Sequence, residues 1–258
     1  MHVQEVKSFG VRAGEGNRAL VVQGGPREEA ARQAFARGGD VSACVFIDGN
    51  VLDYYYPHMR SPLCLHATLA AAHVLFAQQG SDAPITVSTA LRGQTLKLTR
   101  ECGNIFVALQ RQPVDALAPA VELVAELLAA PGLTLASAPM VASVGSPKLL
   151  VEVSDSATLH GLRPDLARIV AWGKANGVNG CYVYCRTRES EYEGRNFNHL
   201  DAALEDSATG VAAGALSACL GYGLTILQGH AMGNPCRILT RVDGDIIYVG
   251  GAAELVIA

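Results

Sequence analysis

A twelve-residue segment, CLHATLAAAHVL at Cys64–Leu75, has a second copy 141 residues further on, EDSATGVAAGAL at Glu205–Leu216. Without a gap, Ala67 falls on Ala208, Thr68 on Thr209, Ala71 on Ala212, Ala72 on Ala213 and Leu75 on Leu216. The same offset holds outside the segment. Upstream it sets Tyr56 on Phe197, His58 on His199 and Leu63 on Leu204; downstream it sets Ile85 on Ile226, Leu98-Thr99-Arg100 on Leu239-Thr240-Arg241, Gly103 on Gly244 and Ile105 on Ile246. One offset held from Tyr54 to Val107 marks an internal duplication, because chance similarity between Ala-rich helices would not extend into the flanking strands. The chain is therefore expected to fold as two like halves, 1–118 and 119–258.

Composition narrows the partners. With 50% of residues hydrophobic and 17% charged, each half has the apolar material for its own core. A net charge of −4 and a pI near 6.0 leave no basic face, which excludes nucleic acid as a partner. The seven cysteines form no CxxC pair, and MHVQEVKSFG has no apolar secretion core. Together these imply a cytoplasmic protein with reduced thiols. The apolar stretch Val114–Leu133 is interrupted by Asp115, Pro119, Glu122, Glu126 and Pro131, so no membrane span is expected.

Local patterns supply the elements. Ala19–Val22 reads as a strand after the turn Gly14–Asn17, and PREEAARQAFAR as a helix opened by Pro26 and stopped at Gly38 and Gly39. Ala43–Ile47 and Val51–Tyr56 flank a DGN turn and predict a hairpin. Strands follow near Ile85–Ser88, Thr95–Thr99 and Ile105–Leu109, and an amphipathic connecting helix carries Val121, Val124, Leu127 and Leu128 on one face. The second half reads strand Lys148–Val153, helix Pro164–Lys174, strand Cys181–Arg186, the second copy as a helix, then strands Cys236–Arg241 and Ile246–Val249. The repeated helices carry small apolar residues on every face, the mark of a buried helix. The fold class is α+β, two pseudo-symmetric domains, each a barrel-like sheet curled around its central helix.

In such a duplication the equivalent helix starts are expected to meet at the domain junction, where ligand pockets are favoured and unpaired N–H groups hold carboxylates. There the copies differ chemically. His66 falls on Ser207 and Leu65 on Asp206, so one start offers an imidazole and the other a carboxylate. An imidazole at a helix start is biased toward its neutral form, which suits proton exchange. Asp206 and Ser207 are equally residues that cap helices, His66 is of a kind often buried for packing, and Cys44 and Cys64 are by default small buried hydrophobes.

At these residues the chain resembles the PhzF-like (phenazine biosynthesis) isomerase family of the diaminopimelate-epimerase-like fold. CLHATLA at Cys64–Ala70 and EDSATGVA at Glu205–Ala212 are similar to that family's CGHATLA-like and EDPATGSA-like segments. GNRALVV at Gly16–Val22, QGHAMGNPCRI at Gln228–Ile238 and VGG at Val249–Gly251 are further landmarks. The resemblance implies an isomerase with a cleft between two domains, no cofactor, no metal and commonly a homodimer. It implies His66 and Asp206 as the polar pair, with Asn17, Ser42, Ala43, Cys64, Leu65, Ala67, Thr68, Ser207, Ala208, Thr209, Gly210 and Val211 framing a small carboxylate-bearing substrate. Three departures stand out. SACVF at Ser42–Phe46 has Ala43 where the family's proton-shuttling Glu stands, Leu65 replaces a Gly, and Val211 replaces a Ser. Three readings follow: an isomerase using Asp206 and His66, helped by Cys44; a two-base racemase using Cys64 or Cys44 as thiolate; and a binder of small acids that has lost turnover.

Overall fold

The computed structural model describes residues 1–115, 117–197 and 205–256, so the repeat partners His199 and Leu204 lie outside the described residues. Contacts divide the chain into unit 1, Met1–Ala108 with Gly250–Ala258, and unit 2, Leu109–Val249.

In unit 1, β1 (His2–Ser8) runs antiparallel to β2 (Asn17–Gln23), which runs parallel to β3 beyond the crossover helix α1 (Glu29–Gly38). Helix α1 starts three residues after the Pro26 expected to open it, because Glu28 stays extended and the Pro26 carbonyl accepts the Arg32 Nε–H at 2.7 Å. The predicted hairpin forms from β3 (Ala43–Asp48) and β4 (Val51–Tyr55), turning through Gly49 at φ +62°. The short β5 (Arg60–Ser61) leads into α2 (Leu65–Gln79). Every residue of α2 from Leu65 to Ala72 is buried, as are Val74 and Phe76. The sheet curls around it: α2 packs against β1, β2, β3, β4 and β6 (Ile85–Thr89). Antiparallel β7 (Thr95–Glu101) and β8 (Asn104–Gln110) extend the sheet, and β8 carries the chain into unit 2.

Unit 2 opens with α3 (Val121–Leu127), shorter than the amphipathic stretch predicts because Pro119 precedes it and Ala129 turns to φ +48° just after it. Then come β9 (Met140–Ala142), β10 (Lys148–Glu152), α4 (Ser156–Gly161), α5 (Leu166–Asn176), β11 (Cys181–Arg188) and β12 (Glu191–Phe197). Asp165 is the N-cap of α5 rather than a first-turn residue, its Oδ1 accepting the Arg168 N–H at 3.0 Å. Leu149, Val151, Cys181, Val183 and Phe197 point to one face and pack with Val124, Leu127, Leu159 and Ile169 of α3, α4 and α5. Each such side chain contributes roughly 1.5–3 kcal/mol on burial. The opposite face of the sheet meets α6 (Gly210–Leu220), which follows the two-residue β13 (Glu205–Asp206) and packs on β9, β10 and β15. The sheet continues through β14 (Thr225–Gln228), β15 (Cys236–Asp243) and β16 (Ile246–Gly251). Finally β17 (Ala253–Leu255) pairs antiparallel with β1, in unit 1, and packs on α2.

Candidate active site

In unit 1 the start of α2 gathers Asn17, Ser42, Cys64 and His66. His66 is 6% exposed, in the first turn of α2, and its backbone carbonyl accepts the Ser8 hydroxyl at 2.8 Å. Ser42 Oγ lies 2.6 Å from the Arg18 carbonyl, 2.8 Å from Asn17 Oδ1 and 3.1 Å from His66 Nε2. A hydroxyl has one proton, and the two oxygens, which can only accept, compete for it. The network therefore assigns the hydrogen of the ring to Nε2, donating to Ser42. That leaves Nδ1 as acceptor toward Asn17 Nδ2 at 3.5 Å and Cys64 Sγ at 3.4 Å. Ser42 is exposed, whereas His66 itself is buried.

Thr68 is fully buried and turned inward, its hydroxyl donating to the Cys64 carbonyl at 2.8 Å, with Tyr54 Oη 2.9 Å away. Leu65 and Ala67 are buried beside it. Ala43 is 1% exposed at the head of β3, where a methyl group offers no proton. Cys44 points the other way, as strand alternation requires, into an apolar cluster with Val22, Ala36, Phe46 and Tyr55. Burial pushes its thiol up to about 11, so the thiolate is scarce at neutral pH. The structure does not bring Cys44 to His66.

In unit 2 the second copy corrects the sequence expectation of a helix start at Glu205–Ser207. Glu205 and Asp206 form β13, and α6 begins at Gly210 with Thr209 as its cap residue. The strand is held because Arg195 grips Glu205 through two bonds of 2.9 and 2.8 Å and donates from Nη1 to the Leu159 and Leu162 carbonyls. This turns Asp206 to the other face. Its Oδ2 accepts the Thr209 hydroxyl at 2.6 Å, and Oδ1 lies 3.4 Å from the Ala208 N–H. Ser207, Ala208 and Gly210 are buried and Val211 is half-buried.

Sequence reasoning missed the groups that fix this loop. Gln228 Nε2 donates to the Asp206 carbonyl at 2.7 Å, while its Oε1 accepts the Thr209 N–H at 3.3 Å and the Tyr182 hydroxyl at 3.2 Å. Asn234 Nδ2 donates to Ser207 Oγ at 3.1 Å. Both belong to the QGHAMGNPCRI landmark, which was the available signal. Its Gly229 sits at φ +85°, and an added Cβ would collide with the Asn234 carbonyl and lie 2.8 Å from that of Ser207. Only glycine lets the two segments close on each other. Among the described residues, no group of three or more His, Cys, Asp or Glu is placed to hold a metal ion, and no helix is long and apolar enough to cross a membrane.

This fold is that of the PhzF-like, diaminopimelate-epimerase-like proteins. A phenazine biosynthesis protein of the PhzF family from Bacillus anthracis superposes with a TM-score of 0.81 at 18% identity, over 100% of this chain and 98% of that one. Residues 6–258 match the model of the phenazine biosynthesis-like proteins, PhzC-PhzF, and the chain belongs to that family. A Deinococcus radiodurans protein described as an uncharacterized isomerase is 31% identical, over 97% of this chain and 91% of its own length. The trans-2,3-dihydro-3-hydroxyanthranilate isomerase of Pseudomonas aeruginosa is 27% identical, over 82% of this chain and 79% of its own. The chain is thus an enzyme of the isomerase class.

Proposed function

We propose that the protein is a cofactor-independent isomerase that moves a proton, and with it a double bond, on a small unsaturated or cyclic carboxylic or amino acid. One observation carries this reading. Among the described helices, α2 and α6 alone begin at buried residues, and neither has a side-chain cap. The peripheral α4 and α5 are capped by Asp155 and Asp165, whereas α1 and α3 start at the exposed surface, where water serves. A buried helix start left without a cap suits an external carboxylate.

In this reading the uncapped helix starts hold carboxylates, and His66 and Asp206 are the groups that act on the substrate. Asp206 takes a proton from a substrate carbon: the C–H bond breaks, its electron pair stays on the substrate as an enolate-like system, and an O–H bond forms on the carboxyl group. Delivery of the proton to a second carbon restores the carboxylate. His66, donating through Nε2 to Ser42, leaves Nδ1 as the ring nitrogen that can take up and return a proton. With Ala43 in place of a carboxylate, the work falls on Asp206. The similarity to the dihydro-hydroxyanthranilate isomerase supports a ring-bearing acid as the substrate class.

The test is exchange in deuterated buffer with a panel of cyclic unsaturated acids. Label is expected in at least one of them, with a loss on the order of 100-fold or more in Asp206→Asn. Exchange unchanged in that variant would overturn the reading, and binding without exchange in any acid would leave a binder. A second reading, a thiol-based epimerase, rests on Cys64 Sγ lying 3.4 Å from His66 Nδ1. Full activity of Cys64→Ser in the same assay would remove it.

A further inference from the structure

Unit 2 buries an amide, Asn196, and a lysine, Lys148, for whose side chains no hydrogen-bond partner is found among the described residues. Lys148, the first residue of β10, is 2% exposed, and its ammonium has no hydrogen bond or ion pair among the described residues. Asn196 on β12 is fully buried, and neither its Oδ1 nor its Nδ2 has a partner among them. A buried charge or amide without a partner is among the most costly features a fold can carry. Packing alone does not explain two of them on one face of a sheet.

Strand register puts both on the face that Asp206 uses. Leu150, Tyr182, Asn196 and Asp206 stand opposite one another across β10, β11, β12 and β13. Residues in one such lateral row point the same way. Lys148 lies two residues before Leu150 and so shares that face, away from the apolar cluster that takes Leu149, Val151 and Cys181. The titratable groups around Lys148 are few. Asp206 comes from β13, Cys181 and Tyr182 from β11; β9 brings none, and the only one on α6 is Cys219, which is exposed. Burial pushes the Cys181 thiol up to about 12 and the Tyr182 phenol higher still, so both are neutral. Among the described residues, Asp206 is the carboxylate whose charge acts on the ammonium.

We propose that Lys148 is a positioning residue of the isomerase: acting across this buried face, with Asn196 on the intervening strand, its ammonium is the positive counter-charge that holds the Asp206 carboxylate in place as the proton acceptor. The idea rests on the assignment of Asp206 as the base. It also supplies what the alanine at position 43 does not, a second charged group tied to the proton transfer, placed in the other half of the chain. Burial holds the pKa of Lys148 down to about 8, with Asp206 pulling it upward. The unfolded chain therefore binds more protons than the folded one between about pH 8 and the ordinary lysine range, and this residue makes stability rise with pH across that window.

The chain has four lysines, Lys7, Lys97, Lys148 and Lys174, so NMR of protein labelled at lysine Cε gives four resolvable signals, and Lys148→Arg identifies one by deletion. That signal is expected to titrate near pH 8, apart from the other three, and at least half a pH unit lower in Asp206→Asn. Titration together with the other lysines, or an unmoved midpoint in Asp206→Asn, would overturn the proposal. Neither measurement needs a substrate, so the outcome is separate from that of the isomerase reading. In the exchange assay, wild-type rate is expected to fall above about pH 8, and Lys148→Arg to keep its rate there. Lys148→Met, which relieves the buried charge, is expected to melt higher at pH 7 and yet exchange at least tenfold more slowly. A Lys148→Met protein that melts lower and exchanges normally would show a merely structural lysine.

Discussion

The starts of α2 and α6 share an Ala-Thr pair and a run of small residues, but the helices begin four positions apart in the repeat register, at Leu65 and at Gly210. The same threonine therefore has two jobs. Thr68 lies inside the helix, where its hydroxyl bonds back to the Cys64 carbonyl and touches Tyr54. Thr209 lies outside it, where its hydroxyl holds the Asp206 carboxylate. Duplication has preserved the letter and moved its function from packing to positioning. The extra residues before α6 let Asp206 leave the helix and join a strand, which is how one copy comes to carry a carboxylate on a fixed arm and the other an imidazole within a helical turn.

This contrast can be broken by paired substitutions. Thr68→Val leaves the buried Tyr54 hydroxyl short of a partner and is expected to cost about 2–3 kcal/mol in urea unfolding. Its exchange rate, measured below the unfolding transition, should stay within about twofold, the scatter expected of a change that touches no reacting group. Thr209→Val should do the reverse, slowing exchange roughly tenfold, about 1.4 kcal/mol, while leaving the unfolding midpoint nearly unchanged. If the two variants behave alike, the division of labour is wrong. The smallest effect is expected at Gly214, whose added Cβ would lie 2.8 Å from methyl groups of Val144 and Val249. Overpacking of about 1–3 kcal/mol is offset by about 1 kcal/mol of improved helix propensity, so Gly214→Ala should lose roughly 1 kcal/mol by the same unfolding measurement. A gain in stability there would mean that α6 is less tightly held than the contact distances imply.

Much of this was legible in the sequence because the informative residues act locally. The Ala-rich pattern of both helices, the DGN hairpin and the order of the strands depend on short-range propensity and on the offset of the repeat. The place where α6 starts was not, since Glu205–Ser207 reads as an ordinary capping segment until Arg195, ten residues earlier, is seen to pin Glu205 into a strand. Strand β12 was equally hidden, because EYEGRNF is polar and its glycine looks like a breaker. Gly194 is there because a Cβ would run into the Tyr182 ring, 3.1 Å from its Cε1. The polar pair His66 and Asp206 emerged from comparing the copies. Gln228, Asn196 and Lys148 did not, because nothing near them in sequence announces which strand face they will share.

The return of β17 to β1 has a consequence for how the protein is made. Val6 pairs with Leu255, and α2 packs against β17 as well as β1. On the ribosome, the first unit emerges with one edge open and its central helix incompletely covered, and it stays so until the whole of the second unit has been synthesised. Duplication by itself would leave the first half free to fold early and alone. Here it is kept waiting for its final strand, which makes a long-range pairing, slow by nature, the last act of assembly.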